Sequence, residues 1–282
     1  MTPNLPITDL TETYLEHGLD RGDTAAYEAA FPELFDHYFR LWVERDKYPE
    51  NLTPQSVRDA AARIKGTLPE IARRFEQHQL SLNRIETCLL VGQGGTNGHA
   101  FRHDDRWVVW LPVETCPTDL QASVFVTHEM AHALHYRDAT EFYFDDLPGR
   151  HHFGRQLLTE GLATLATAEI LAVDHLTALW ADFVPEPWAR GWHYTRLQAL
   201  PALARYTLDN WDSTQPNPPF FCYTGEDNTD PLTNRSGYLL GLELMRCLRD
   251  KLRLSLPALL RLDRSSMERE ARRWLEYQAR QQ

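Results

Sequence analysis

A mostly helical α+β fold is what this sequence predicts, on three observations. Apolar residues recur at helical spacing over most of the chain. Two short β-forming runs, residues 84–92 and 106–114, interrupt that pattern. Helical patterning then resumes and lasts almost to the C-terminus, so one small sheet is set among helices.

Residues 24–46 carry apolar side chains at helical spacing through Tyr27, Phe31, Leu34, Phe35, Tyr38 and Leu41. Pro32 must break or begin a helix within that run. A second helix starts after Thr53, with Pro54 in its first turn, and runs towards His78. Ile64, Leu68, Ile71 and Phe75 form its buried stripe, and Pro69 is a potential kink. The run Ile85, Cys88, Leu89, Leu90, Val91 suits a buried strand, and GQGGTNG (92–98) is turn chemistry. RWVVWLPVE (106–114) reads as a second strand, with Pro112 at an edge position or at the strand's end. Helices follow at 119–136, 155–173, 187–210 and 236–252, then a terminal pair at 255–261 and 265–280. The segment 210–231 is rich in Pro, Asn, Asp and aromatics, and reads as a long functional or mobile loop. There is no internal repeat. The expectation is one domain over 1–282, with an N-terminal helical layer (1–83) before a core (84–282).

Composition narrows the function. With 282 residues, 43% of them hydrophobic, the chain can bury a core without staples. A net charge of −11 argues against nucleic acid and against an anionic membrane surface. The four cysteines, Cys88, Cys116, Cys222 and Cys247, include no C-x-x-C pair, which points to reduced thiols in a cytosolic protein. Residues 1–20 lack the apolar core of a signal peptide, and no run approaches a membrane span of about 18 apolar residues. A soluble, cytoplasmic protein is expected.

The chemistry lies in VFVTHEMAHALHY (124–136). His128 and His132, four apart on a helix, face the same way and can reach one metal ion. Glu129 can then contact the metal-bound water without ligating and take its proton as general base. Pro117, Thr118 and Asp119 form a helix start, and Val124, Phe125, Ala131 and Leu134 a packed face. Zinc fits such a site best.

A catalytic zinc needs a third protein ligand. Asp138 is one candidate, but that arrangement calls for Gly where this chain has His135. His151 and His152 are another, in a polar segment. Glu160 is favoured, because an acid in the apolar helix LLTEGLATLATAEI needs a partner. Gly161 and Ala163 would let the first helix approach closely, and Thr164 could hydrogen-bond a ligand.

H-E-x-x-H on one helix with Glu in an E-G-L-A segment on the next resembles the gluzincin metallopeptidases. T-E-G-L-A is similar to the N-E-G-F-A segment of the thermolysin-like aminopeptidases. A closer likeness is to a bacterial family of predicted zinc-dependent proteases of unknown function, with H-E-x-x-H, E-G-L-A and then G-Y-x-x-G, here Ser236 to Gly241. It covers roughly residues 89–249. The resemblance implies a zincin-like fold with the small sheet packed on the HExxH helix, Zn2+ on His128, His132 and Glu160, and a peptide or protein substrate. It also implies that strand 106–113 is the sheet edge that binds extended peptide. Tyr238 would donate to the oxyanion, with His193 and Arg235 as alternatives. His99 and His103 read as loop histidines. Two departures stand: residues 137–154 would be an inserted loop, and the aminopeptidases' exopeptidase motif has no clear counterpart. The expected function is a zinc metallopeptidase. A zinc hydrolase of another amide or ester is the alternative, as is a non-catalytic metal-binding protein.

Overall fold

A computed structural model describes residues 5–17, 24–43, 52–92 and 98–281. Contacts gather into two compact units, Met1–Leu134 and His135–Gln282, and the division falls inside a single helix.

The first unit is built on a four-stranded sheet: β1 (Ile7–Asp9), β2 (Ile85–Leu90), β3 (His99–His103) and β4 (Arg106–Pro112), in the order β1-β2-β4-β3. β2 runs parallel to β1 and to β4, whereas β3 is antiparallel to β4. Every residue of β2 is buried, as in a strand covered on both faces, and Glu86 within it is paired to Arg106 at 2.7 Å. Around the sheet stand α1 (Thr11–His17), α2 (Ala25–Ala29), α3 (Pro32–Leu41), α4 (Pro54–Gln77) and α5 (Asp119–Asp138). Pro32 opens α3, as its fixed φ favours. A reciprocal cap starts α4. Thr53 Oγ1 accepts from the Ser56 amide at 3.1 Å, and Ser56 Oγ accepts from the Thr53 amide at 3.0 Å. Ile64, Leu68, Ile71 and Phe75 are buried as the spacing predicts, and Pro69 lies within the helix.

Three features differ from expectation. β1 adds a strand to the N-terminal layer, pairing Ile7 with Thr87; three residues are too few to show a period of two. β3 is a strand where a loop was expected, so His99 and His103 belong to a hairpin. Its two-residue turn places Asp104 at φ 54°, a conformation aspartate tolerates. In consequence β4 is interior, not the edge strand expected at 106–113. β3 takes the edge, and Pro112 is accommodated as the last residue of β4. The turn expected at 92–98 lies largely outside the described residues, as does the end of the run 24–46.

The second unit is helical: α6 (Leu147–Arg150), α7 (Phe153–Leu171), α8 (His175–Trp180), α9 (Glu186–Gln198), α10 (Leu200–Asn210), α11 (Pro218–Phe221), α12 (Ser236–Leu252), α13 (Leu256–Leu260) and α14 (Arg264–Ala279). α7 is buried on nearly all sides, and α12 lies along it. A Cβ on Gly161 would fall on the backbone of Gly241, and the Glu169–Arg249 ion pair closes eight residues further along both helices. The two helices therefore run parallel. Gly161 makes room for α12, not for the HExxH helix. The helix expected over 187–210 is two, because Pro201 has no N–H to carry the ladder past Ala199. Asp174, Ser255 and Asp263 cap α8, α13 and α14. The expected loop 210–231 contains α11, where Phe220 and Phe221 are buried against Phe153. All four cysteines are free, with Cys88 and Cys116 buried. Among the described residues, no helix is long and apolar enough to cross a membrane.

Candidate metal centre

α5 begins where Thr118 Oγ1 accepts from the Gln121 amide at 3.1 Å. Three turns on, His128, Glu129 and His132 are all buried. The i, i+4 spacing brings the two imidazoles together, with ring centroids 4.7 Å and Nε2 atoms 3.1 Å apart. Nitrogens this close can each donate a lone pair to a single cation. α7 supplies half-buried Glu160, and one ligand atom from each of His128, His132 and Glu160 lies within 4.8 Å of the others. The donor set fits zinc: two neutral nitrogens and one carboxylate leave a coordination position for water or substrate.

Glu129 follows the first histidine and presents its Cγ to Gly98. A Cβ at Gly98 would lie 2.9 Å from that carbon and 2.9 Å from the Trp110 carbonyl oxygen. Gly98 also has φ 149°, in the left-handed region that favours glycine. The start of β3 is therefore bare backbone laid against the glutamate. His99, next along, is buried, with its ring 6.3 Å from His132 and 4.5 Å from Trp42.

Of the other ligand candidates, Asp138 and His152 are engaged elsewhere. Asp138 pairs with Arg137 at 2.6 Å and Arg261 at 3.3 Å. His152 caps α7, its Nδ1 accepting from the Arg155 amide at 3.3 Å, and its Nε2 lies 3.3 Å from Arg264. His151 lies half-buried just before it, its pKa lowered by desolvation. Thr164 donates to the Glu160 backbone oxygen at 2.8 Å, which occupies the hydroxyl proton expected to reach a ligand. His193 lies in α9 and is lowered in pKa by burial. Tyr238 stands in the first turn of α12, half-buried. The Arg235 guanidinium lies over its ring at 4.2 Å, so Arg235 is not the solvated helix-start charge its position suggests.

One residue escaped sequence reasoning. Arg155, five positions before Glu160, is fully buried and donates to the carbonyls of Gly149 (2.8 Å), Arg150 (2.9 Å) and Phe142 (3.3 Å). Desolvation lowers its pKa, opposed by Tyr136 and Glu160. It fastens the 142–150 segment to the helix that carries Glu160. An arginine at an inward position of an apolar helix was the available signal.

No protein-family model, no curated protein and no solved structure matches the chain.

Proposed function

We propose that the chain is a zinc-dependent hydrolase, and specifically a metallopeptidase. The observation that carries this reading is the convergence of His128, His132 and Glu160, with Glu129 buried beside the first of them. His128, His132 and Glu160 would hold the ion. When bound, zinc supplies Lewis acidity towards a carbonyl oxygen and a water. Glu129 accepts the proton of the attacking water and returns it to the leaving amine. Burial of the two histidines and of Glu129 excludes competing solvent and strengthens each charge interaction. Tyr238 is the residue assigned to the oxyanion, by its phenol donor and its place at the head of α12.

A peptide is favoured over another amide or ester by β3. β3 is an antiparallel edge strand that starts against Glu129 at Gly98, and strand addition is the way such an edge takes an extended chain. The zincin-like fold and an intracellular setting belong to the same proposal.

Elemental analysis of protein purified without added zinc tests it. The expected result is one zinc per chain, strongly reduced in Glu160→Ala. Glu129→Gln should retain zinc and lose peptidase activity by a hundredfold or more, on the order of the general-base contribution. Wild-type protein that takes up no zinc on reconstitution would exclude the hydrolase.

A further inference from the structure

Arg235 is held in an unusual state for a surface-derived arginine. Its backbone is left-handed, at φ 61°, directly after Asn234 at φ 55°. Non-glycine residues occupy that region when their surroundings impose it. Here the surroundings are a tightly bonded loop. Asn234, 1% exposed, accepts from the Thr224 amide at 2.8 Å and donates to the Asp227 carbonyl at 2.6 Å. Fully buried Arg196 donates to the carbonyls of Asn228 at 2.7 Å and Asp230 at 2.8 Å. The Arg235 amide is tied to the Cys222 carbonyl at 3.1 Å.

The side chain is fixed as well. Its guanidinium lies over the Tyr238 ring at 4.2 Å and over the Trp180 ring at 5.2 Å. Aromatic faces orient a guanidinium and leave its in-plane N–H donors available. Among the described residues, no carboxylate and no hydrogen-bond acceptor takes them. The chain has 40 acidic residues against 29 lysines and arginines, so acids to pair it were in ample supply. A rigid, half-buried fork of donors left in this way is complementary to a carboxylate.

Its location links it to Glu160. Gly241, six residues after Arg235, packs on Gly161, the neighbour of Glu160.

We propose that Arg235 is a specificity residue that binds a carboxylate of the substrate, supplied by the C-terminus of a peptide or by an acidic side chain. Its place in a reaction rests on the hydrolase reading; the binding itself does not. Substrates would then be peptides cut near a negative charge, and an amidated or neutral peptide would be a poor ligand.

Calorimetric titration of the full-length protein, with and without one equivalent of zinc, provides the test. The probes are N-acetyl-Gly-Gly-Phe, its C-terminal amide, and N-acetyl-Gly-Asp-Phe amide. Tighter binding of the first than of the second, by about tenfold or more, is the scale of one charge-assisted pair and identifies the C-terminal carboxylate. The same preference for the third probe identifies an acidic side chain. In Arg235→Gln either preference should vanish. Equal binding of all three probes by wild-type protein would overturn the proposal without any variant, as would a preference that survives in Arg235→Gln. A preference seen in zinc-free protein that takes up no zinc would retain Arg235 as a carboxylate site and remove the hydrolase reading instead.

Discussion

His37 shows how far one residue's surroundings can move its chemistry. It is buried, its Nε2 accepts from Trp42 Nε1 at 3.2 Å, and its ring stacks on Phe101 at 5.0 Å. Burial, with a smaller push from Arg40, lowers its pKa from 6.5 to about 3. Because the folded pKa is depressed, the unfolded chain binds the proton first as pH falls. His37 therefore costs nothing above pH 6.5 and destabilises the fold progressively from there down to about pH 3. For one proton the slope approaches about 1.4 kcal/mol per pH unit. In urea titrations between pH 7 and 4, His37→Gln, which keeps an acceptor for Trp42, should lose stability less steeply than wild type. Parallel curves would show that His37 does not carry this dependence. Gly98 is the second residue-scale case. In Gly98→Ala the new methyl must displace Glu129 or strain the backbone, so activity should fall about a hundredfold, the cost of roughly 1 Å of misplacement. Zinc content should stay at the wild-type level. Loss of zinc in this variant would mean that Gly98 supports the ligands and not the base.

At the scale of elements, the E-G-L-A and G-Y-x-x-G strings have a common physical reason. Gly161 and Gly241 let α7 and α12 touch backbone to backbone, and Gly237 seats α12 against Phe220 and Phe221. A Cβ at Gly241 would press on Gly161 Cα at 2.9 Å and on the Leu157 carbonyl. Backbone cannot move aside as a flexible side chain can, so Gly241→Ala should destabilise the protein by about 1–3 kcal/mol, the range of overpacked cores. Chemical denaturation measures this directly. An unchanged midpoint would show that the helices can separate by the width of a methyl at no cost. Spacing alone revealed that these glycines form motifs; their partners are not legible in a one-dimensional pattern.

At the scale of the whole molecule, a bound ion is a folding term. A metal that binds the folded chain alone stabilises it by about 2.7 kcal/mol when free metal is a hundredfold above Kd. Chelation should accordingly lower the thermal midpoint, and one equivalent of zinc should restore it. Glu160→Ala should show little response to either treatment. A midpoint insensitive to chelator in wild type would place zinc, if present, at a site that folding does not require.

By itself the sequence determined the helical character, the cap and buried stripe of α4, the strand β2, and the pairing of His128 with His132. Each of these follows from local chemistry or from a fixed period along one element. It also singled out Glu160, since an acid on an apolar helix demands a partner. Tertiary structure alone decided what comes from distant residues. β1 is too short to show a period and exists because β2 offers it a ladder. β4 is interior because β3 covers its other side, and Asp104 is what lets that hairpin turn. Arg261 reaches Asp138, and Arg264 reaches His152, from more than a hundred residues away in the chain. Arg235, a plain charge in one dimension, became a held donor fork once the rings of Trp180 and Tyr238 were brought against it. Periodicity records which face of an element is apolar, and only packing says what that face meets.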